Sequence, residues 1–338
     1  MMKELRQAAA PGQAVPGIPW NLSACILAVS MVSCVLDFFL GEYAMRDYLI
    51  ATASTADLTS DYLEEHSIPF IRYTYTVNGI VVEDDCKESS REAVYKGMRA
   101  GDELQTSMIT EPVYYDFFKS LLESGKDVLY LDMSQKMSAS FDNAQKAAEA
   151  VRKKFPGQML YVMDTRCISG GLAVLVKNCV RLKEEGKSFD EVIAWGEENK
   201  LKIAHRFTVD NLKYLRKSGR VSNGAALLGT LLSIKPVLYV PDGGTLDVVQ
   251  KAHGRKAALK AVVDSVCHDL SLIDPAGLSV DIMQADCRED AEHVRDEIRK
   301  AYPMVGEIGI STLGVVIGAH CGPGFLAVLY LCSGRRPQ

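Results

Sequence analysis

His320 closes an apolar run, Val315-Val316-Ile317-Gly318-Ala319, and leads into the turn Cys321-Gly322-Pro323-Gly324. The run has the composition of a strand, and the glycines permit positive φ and close approach of backbone to another group. A histidine on such a turn can present its ring nitrogens to an anion. It can equally pack as an ordinary strand-end residue. Three further polar groups share that ambiguity. Gln105-Thr106-Ser107 opens a short β-type segment. Ser134, Ser138 and Ser140 surround the start of a helix, where free N–H groups and the helix dipole favour an anion. A serine there also reads as a plain helix cap. Arg220 follows Gly219 in the turn Ser218-Gly219-Arg220-Val221-Ser222, either as a solvated side chain or as a placed guanidinium. Taken jointly, these groups are donors: hydroxyls, one guanidinium and one imidazole. Such a set suits holding a carboxylate or phosphate without reacting with it.

The motifs that are missing point the same way. The chain has no G-x-x-x-x-G-K-[ST] loop, no G-x-G-x-x-G, no H-E-x-x-H and no G-x-S-x-G elbow. That absence argues against an enzyme acting alone. The formal net charge of −5 argues against a nucleic-acid binder, which carries a basic excess. Nine cysteines, at 25, 34, 86, 167, 179, 267, 287, 321 and 332, form no C-x-x-C pair and no Cys/His cluster of zinc spacing. They read as reduced thiols of a cytosolic protein, with neither a disulfide framework nor a metal site.

These groups must be positioned by a fold of two parts, for which 338 residues suffice. From Tyr48 the pattern alternates. Strands are expected at Tyr48–Thr52, Gln105–Ile109, Asp127–Asp132 and Met159–Asp164. Helices are expected at Leu58–His66, Ser90–Ala100, Glu111–Glu123, Ala139–Lys154 and Gly171–Glu185, the first after the start signal Ser54-Thr55-Ala56-Asp57. A β-rich segment, Pro69–Val77, ends in an Asn78-Gly79 turn. Strands separated by helices of this length predict a parallel βαβ-type sheet, which binds ligands at the carboxyl ends of its strands. After about residue 206 strand pairs and packed helices predict a second, smaller α+β domain. Its elements are expected at Phe207-Thr208-Val209, Asn211–Lys217, a small-residue helix Ala225–Leu232, Ile234–Val240, Arg255–Asp269, Ser279–Gln284, Arg288–Ala301, Glu307–Ser311 and Phe325–Leu331. The expected fold class is α/β, and the expected domains are 46–205 and 206–338. Residues 1–45 form an extension of different character. Lys3 and Arg6 precede an uncharged run, Leu22 to Leu36, that is shorter than the ~20 residues of a membrane span. It reads as a signal or anchor, as an extra helix, or as an over-extended start before Met45, and the last is favoured because Met45 leads straight into the first strand.

Several blocks resemble the DegV family. They are Thr52-Ala53-Ser54-Thr55-Ala56-Asp57-Leu58, Thr106-Ser107, Ser134 to Phe141, Leu215 to Ser222, Leu228 to Pro236 and Val316 to Gly324. The resemblance runs from about residue 46 to 331 in the family's order, and the last two blocks are the most specific. It implies a long-chain fatty acid bound in a ligand tunnel between two domains, and a role as the fatty-acid-binding subunit of bacterial fatty acid kinase. That subunit is not itself catalytic. It is cytoplasmic, needs no cofactor, allows transient membrane contact, and presents the acyl carboxylate to a separate ATP-dependent kinase that makes acyl phosphate. The resemblance places the carboxylate-binding hydroxyls on Thr106 and Ser138, the arginine on Arg220 and the histidine on His320, with Ser107 as a neighbour. The chain departs from the family's pattern at Ala53, where Asp is usual, at Met137-Ser138-Ala139-Ser140, where Leu-Ser-Gly-Thr is usual, and at Cys321, where Thr is usual. Two alternatives stand beside this reading: a lipid or ester hydrolase using Ser138 with His320, and a lipid sensor without a kinase partner. No third residue is evident to orient the histidine of such a hydrolase.

Overall fold

β1 (Tyr48–Ala53) is the buried apolar strand that the sequence predicts, and it feeds a single 3-10 turn, Ser54–Ala56, closed by Asp57 at φ 58°. The structure, a computed structural model, describes residues 46–220 and 234–336. The extension 1–45, the expected helix Ala225–Leu232, and Val221 and Ser222 of the glycine turn lie outside those residues. The segment Ser54-Thr55-Ala56-Asp57 is a turn rather than the start of a helix. α1 (Ser60–Glu65) begins later, capped by Thr59, whose side chain accepts from the Tyr62 N–H. β2 (Phe70–Ile71), β3 (Thr74–Val77) and β4 (Ile80–Glu83) follow. β3 and β4 pair as a hairpin over Asn78 and Gly79, both at positive φ as a two-residue primed turn demands.

The alternation then continues through α2 (Glu88–Ala100), β5 (Leu104–Thr106), α3 (Glu111–Leu122), β6 (Asp127–Asp132), α4 (Ser140–Arg152), β7 (Leu160–Asp164) and α5 (Gly170–Glu184). α6 (Phe189–Asn199) has no counterpart among the expected elements, although its signal is present: Ser188 and Glu191 form a capping box. After it come β8 (Ile203–Thr208), α7 (Leu212–Ser218), β9 (Ile234–Tyr239), β10 (Asp247–His253), α8 (Arg255–Leu270), β11 (Val280–Gln284), α9 (Arg288–Ala301), β12 (Ile308–Thr312), α10 (Val315–Cys321) and β13 (Leu326–Leu331).

The chain is α/β, with a parallel sheet and additional sheets. The parallel sheet has the order β2-β1-β6-β7, the second sheet β10-β9-β8-β13-β11-β12, and the third β4-β3-β5. β5 is a correction. The expected strand Gln105–Ile109 is shorter, and it pairs antiparallel with β3 instead of joining the parallel sheet. The second sheet begins with β8 at Ile203, earlier than Phe207, because His205 and Arg206 interrupt the apolar pattern that marks a strand.

Alternation along β13 shows how the second sheet is used. Ala327 and Leu329 face the large core shared with the parallel sheet. Leu326, Val328 and Tyr330 face a separate core, to which Val262, Val266 and Leu270 of α8 and Val294 and Ile298 of α9 contribute. α5 packs against strands of both the parallel and the second sheet, so it joins them through one core. Among the described residues no helix is long and apolar enough to cross a membrane.

The second correction is the segment of His320. Val315-Val316-Ile317 is not a strand but the opening of α10. β-branched residues favour strands only weakly, and packing overrides that preference. Val315, Val316, Ile317, Gly318 and Cys321 are all buried, so the segment carries no period that could separate helix from strand. Gly318 lets the helix lie against α2: a Cβ there would stand 1.9 Å from the Tyr95 hydroxyl.

Candidate functional site

Thr106 ends β5, and His320 is the next-to-last residue of α10. A 2.9 Å hydrogen bond joins Thr106 Oγ1 to His320 Nε2. Burial, with the Arg220 charge adding to it, lowers the His320 pKa to about 4. The ring is therefore neutral at pH 7 and offers one donor and one acceptor.

Ser138 stands just before α4. Its hydroxyl donates to Ser140 Oγ at 2.9 Å and accepts from the Ser140 N–H at 3.2 Å. Ser140 Oγ also accepts from the Ile109 N–H at 3.1 Å. Ser134 behaves differently. It is fully buried and donates to the Gly244 carbonyl at 2.8 Å, a tie between two loops.

Arg220 is placed by the end of α7, where Gly219 takes φ 68° and stops the helix. Its guanidinium is exposed and donates to the carbonyls of Met137, at 3.4 Å from Nε, and of Ser218. Among the described residues its hydrogen-bond partners are backbone carbonyls, and none is a carboxylate.

Thr106, Ser107, Ser138, Arg220 and His320 all line a single cavity of about 320 Å³. Its remaining wall is mainly apolar and comes from many elements: Met133 and Met137, Phe207 of β8, Val316 and Ile317 of α10, and Ala327 and Leu329 of β13. The volume lies within the range of about 300–1,000 Å³ typical of small-molecule sites. Two further polar residues in the wall, Ser169 and His205, are already engaged by the protein. Ser169 donates to the buried Asp57 carboxylate. His205 pairs through Nδ1 with the Ile203 carbonyl at 3.1 Å, and its Nε2 accepts from the Ile168 N–H at 3.3 Å. Burial above all keeps its pKa well below the ordinary value.

The sequence-predicted site residues thus share one cavity, but Ser138 and His320 are not joined to each other. The serine is bonded to Ser140 and the imidazole to Thr106. Sequence reasoning missed Tyr73, which reaches the same cavity from the link between β2 and β3. Within Tyr73-Thr74-Tyr75 nothing separates a pocket phenol from a core one. Among the described residues no cluster of His, Cys, Asp or Glu could hold a metal ion.

The fold is α/β, and it encloses a mainly apolar chamber with a group of donors along its wall. The model of the DegV family, described as uncharacterised proteins, matches residues 48–332. The chain is 35% identical over 294 residues to a DegV domain-containing protein of Clostridium perfringens, covering 87% of this chain and 100% of that one. Among solved structures it is similar to a DegV family protein of Thermus thermophilus described by its fatty acid binding, at 26% identity and a TM-score of 0.76, over 85% of this chain and 100% of that one. It is also similar to a hypothetical protein of Thermotoga maritima whose structure reveals fatty acid binding, at 27% identity and a TM-score of 0.72, over 85% and 99% of the two chains. The chain belongs to the DegV family.

Proposed function

We propose that this protein binds one long-chain fatty acid, with the tail in the chamber and the carboxylate at the donor group. The observation that carries this is the cavity itself: a mainly apolar wall with Thr106, Ser107, Ser138, Arg220 and His320 in it. Relatives at 26–27% identity whose structures are described by fatty acid binding support it. Burying about 14 methylenes contributes on the order of 11 kcal/mol at ~0.8 kcal/mol each. Desolvating an unpaired carboxylate costs several kcal/mol. Hydroxyl donors and the charge of Arg220 offset that cost, so the tail drives binding and the polar end selects register and head group. In this reading Thr106 and Ser138 donate to the carboxylate, the neutral His320 donates or relays through Thr106, Arg220 supplies charge, and Ser107 lies alongside.

The role that follows is that of a cytoplasmic carrier subunit. It presents the acyl carboxylate to a separate ATP-dependent fatty acid kinase. There a carboxylate oxygen takes the γ-phosphoryl group, ADP leaves, and acyl phosphate forms. The chain's own residues bind and orient, and no phosphate-cradling loop stands in its sequence. The separate hydrogen bonding of Ser138 and His320 weighs against the hydrolase alternative.

Native mass spectrometry after gentle purification tests the ligand: a bound fatty acid is expected, and a protein that stays empty when offered several chain lengths refutes the proposal. Incubation with ATP tests the role. The pure chain alone should give no ADP, and added kinase subunit should give acyl phosphate.

A further inference from the structure

Asp57 is 1% exposed and is not among the residues that line the chamber, yet it holds two of the segments that do. Its Oδ2 accepts from the hydroxyl of Ser169, a wall residue at the entrance of α5. Ser169 takes φ 54° and ψ −134°, a conformation rare for any residue but glycine. Such a backbone persists only where its surroundings fix it. On the other side, Asp57 Oδ1 lies against Gly314, which leads into α10, and a Cβ built there would overlap it. Gly314 has an ordinary φ of −60°, so it is the space filled by Asp57 that asks for glycine at this position.

The main chain of Asp57 is fixed in turn. Its carbonyl accepts from Arg91 Nη1 at 3.0 Å, and the same nitrogen donates to the Thr312 carbonyl at 2.9 Å. Tyr95 donates to the Leu313 carbonyl at 2.9 Å. α2 thus ties the turn after β1 to the link between β12 and α10, and Asp57 stands at that junction. α10 carries the consequence to the chamber. Val316, Ile317, His320 and Cys321 line it. His320 lies about 9 Å along the axis from Gly314, at 1.5 Å per residue. A helix of two turns moves as one body, so a shift at its start displaces the imidazole from Thr106. We propose that Asp57 is a positioning residue of the chamber: by bonding Ser169 and standing against Gly314, it fixes the wall at the entrance of α5 and the place of His320 at the far end of α10.

The inference rests on fatty acid binding as proposed above, but its first readout needs no ligand. Histidine labelled with ¹³C at Cε1 is followed in the full chain from about pH 8 to about pH 5, on either side of the ordinary histidine value, with His320→Gln identifying the His320 signal. In wild type that signal should stay flat, since the ring titrates at about 4. In Asp57→Ala the ring gains water, and its signal should titrate within the range. Asp57→Asn keeps the volume and an oxygen for the Ser169 proton, so it should fall between the two. Calorimetry should show the affinity of Asp57→Ala for hexadecanoic acid lowered about tenfold, within the range for coupled sites. A flat His320 signal in Asp57→Ala overturns the inference even if the melting temperature drops, because Asp57 would then be structural only. A titrating signal with unchanged affinity overturns it as well, since the ligand would not depend on that placement. A wild type that binds no hexadecanoic acid refutes fatty acid binding instead, and the His320 signal still decides the positioning. Should Asp57→Ala unfold, Ser169→Ala and Gly314→Ala each break one arm and leave the carboxylate in place. Gly314→Ala should move the His320 signal and Ser169→Ala should lower the affinity, and wild-type behaviour of both overturns the inference.

Discussion

Arg206 and Arg220 sit in the same half of the chain and do opposite things. Arg206 is 1% exposed, donates from Nε to Asp269 at 2.8 Å and from Nη1 to the Arg335 carbonyl at 2.6 Å. Asp269 accepts from the Tyr330 hydroxyl as well, and Arg335 is in turn tied to the carbonyls of Arg166 and Thr165. That network sets the Arg206 charge against a buried carboxylate. Arg220 is exposed, and its described partners are two carbonyls. Carbonyls orient a guanidinium but leave its charge unspent. The comparison teaches what distinguishes the two arginines: the guanidinium of Arg206 is matched by a buried carboxylate, whereas the described partners of Arg220 are carbonyls.

The largest effect should come from breaking the Arg206–Asp269 pair. Asp269→Ala leaves Arg206 as a buried charge without its carboxylate, and should cost about 3–5 kcal/mol in urea unfolding. A loss below 1 kcal/mol would mean that Arg206 is not the structural pole of the pair. The cavity cluster should respond in binding instead. Arg220→Ala, or Ala at Thr106, Ser138 or His320, should each weaken fatty acid binding by about 1–3 kcal/mol. Arg220→Ala should move stability by no more than about 0.5 kcal/mol. Arg220→Lys should recover only part of the loss, because the planar fork is gone. If Arg220→Ala unfolds as readily as Asp269→Ala, the distinction between the two arginines collapses.

A further effect concerns pH. The His320 pKa is lowered in the folded protein, to about 4, so only the unfolded chain takes up that proton between pH 6.5 and 4. The stability tied to this site is complete above pH 6.5 and is lost as pH falls toward 4. Asp57 and Asp132 act in the opposite sense. Burial raises both to about 7, so their share is lost as pH rises from about 4 to 7. The difference between wild type and His320→Gln isolates the imidazole: wild type should lose more stability from pH 7 to pH 5 than the variant. Parallel curves would show that the ring takes a proton as easily folded as unfolded.

The residues singled out from the sequence stand at element ends or beside turns, where glycine, proline and hydroxyl side chains leave a local mark, and Thr106, Ser107, Ser138, Arg220 and His320 line one cavity. What escaped was set by contacts distant in sequence. α10 is buried nearly all round, so nothing in Val315-Val316-Ile317 reveals a helix. β10 is an edge strand carrying exposed Val249, Gln250 and Lys251, and it looks like a loop until β9 pairs with it. β5 lies too close to helices on either side to betray its antiparallel partner. Tyr73 is a pocket residue only because the turn ahead of it, at Ser54, pins its backbone.

The position of α5 has a kinetic consequence. Ile168 and Ser169, at its entrance, form part of the cavity wall, while the helix itself packs on strands of both the parallel and the second sheet. Widening the chamber at that point means prising apart a shared core, which is slow and cooperative. The residence time of an occupant should then be gated by protein opening instead of by the stickiness of its tail. Dissociation rates of acyl chains of different length should converge on a common value, and that value should match the opening rate read from amide exchange in α5.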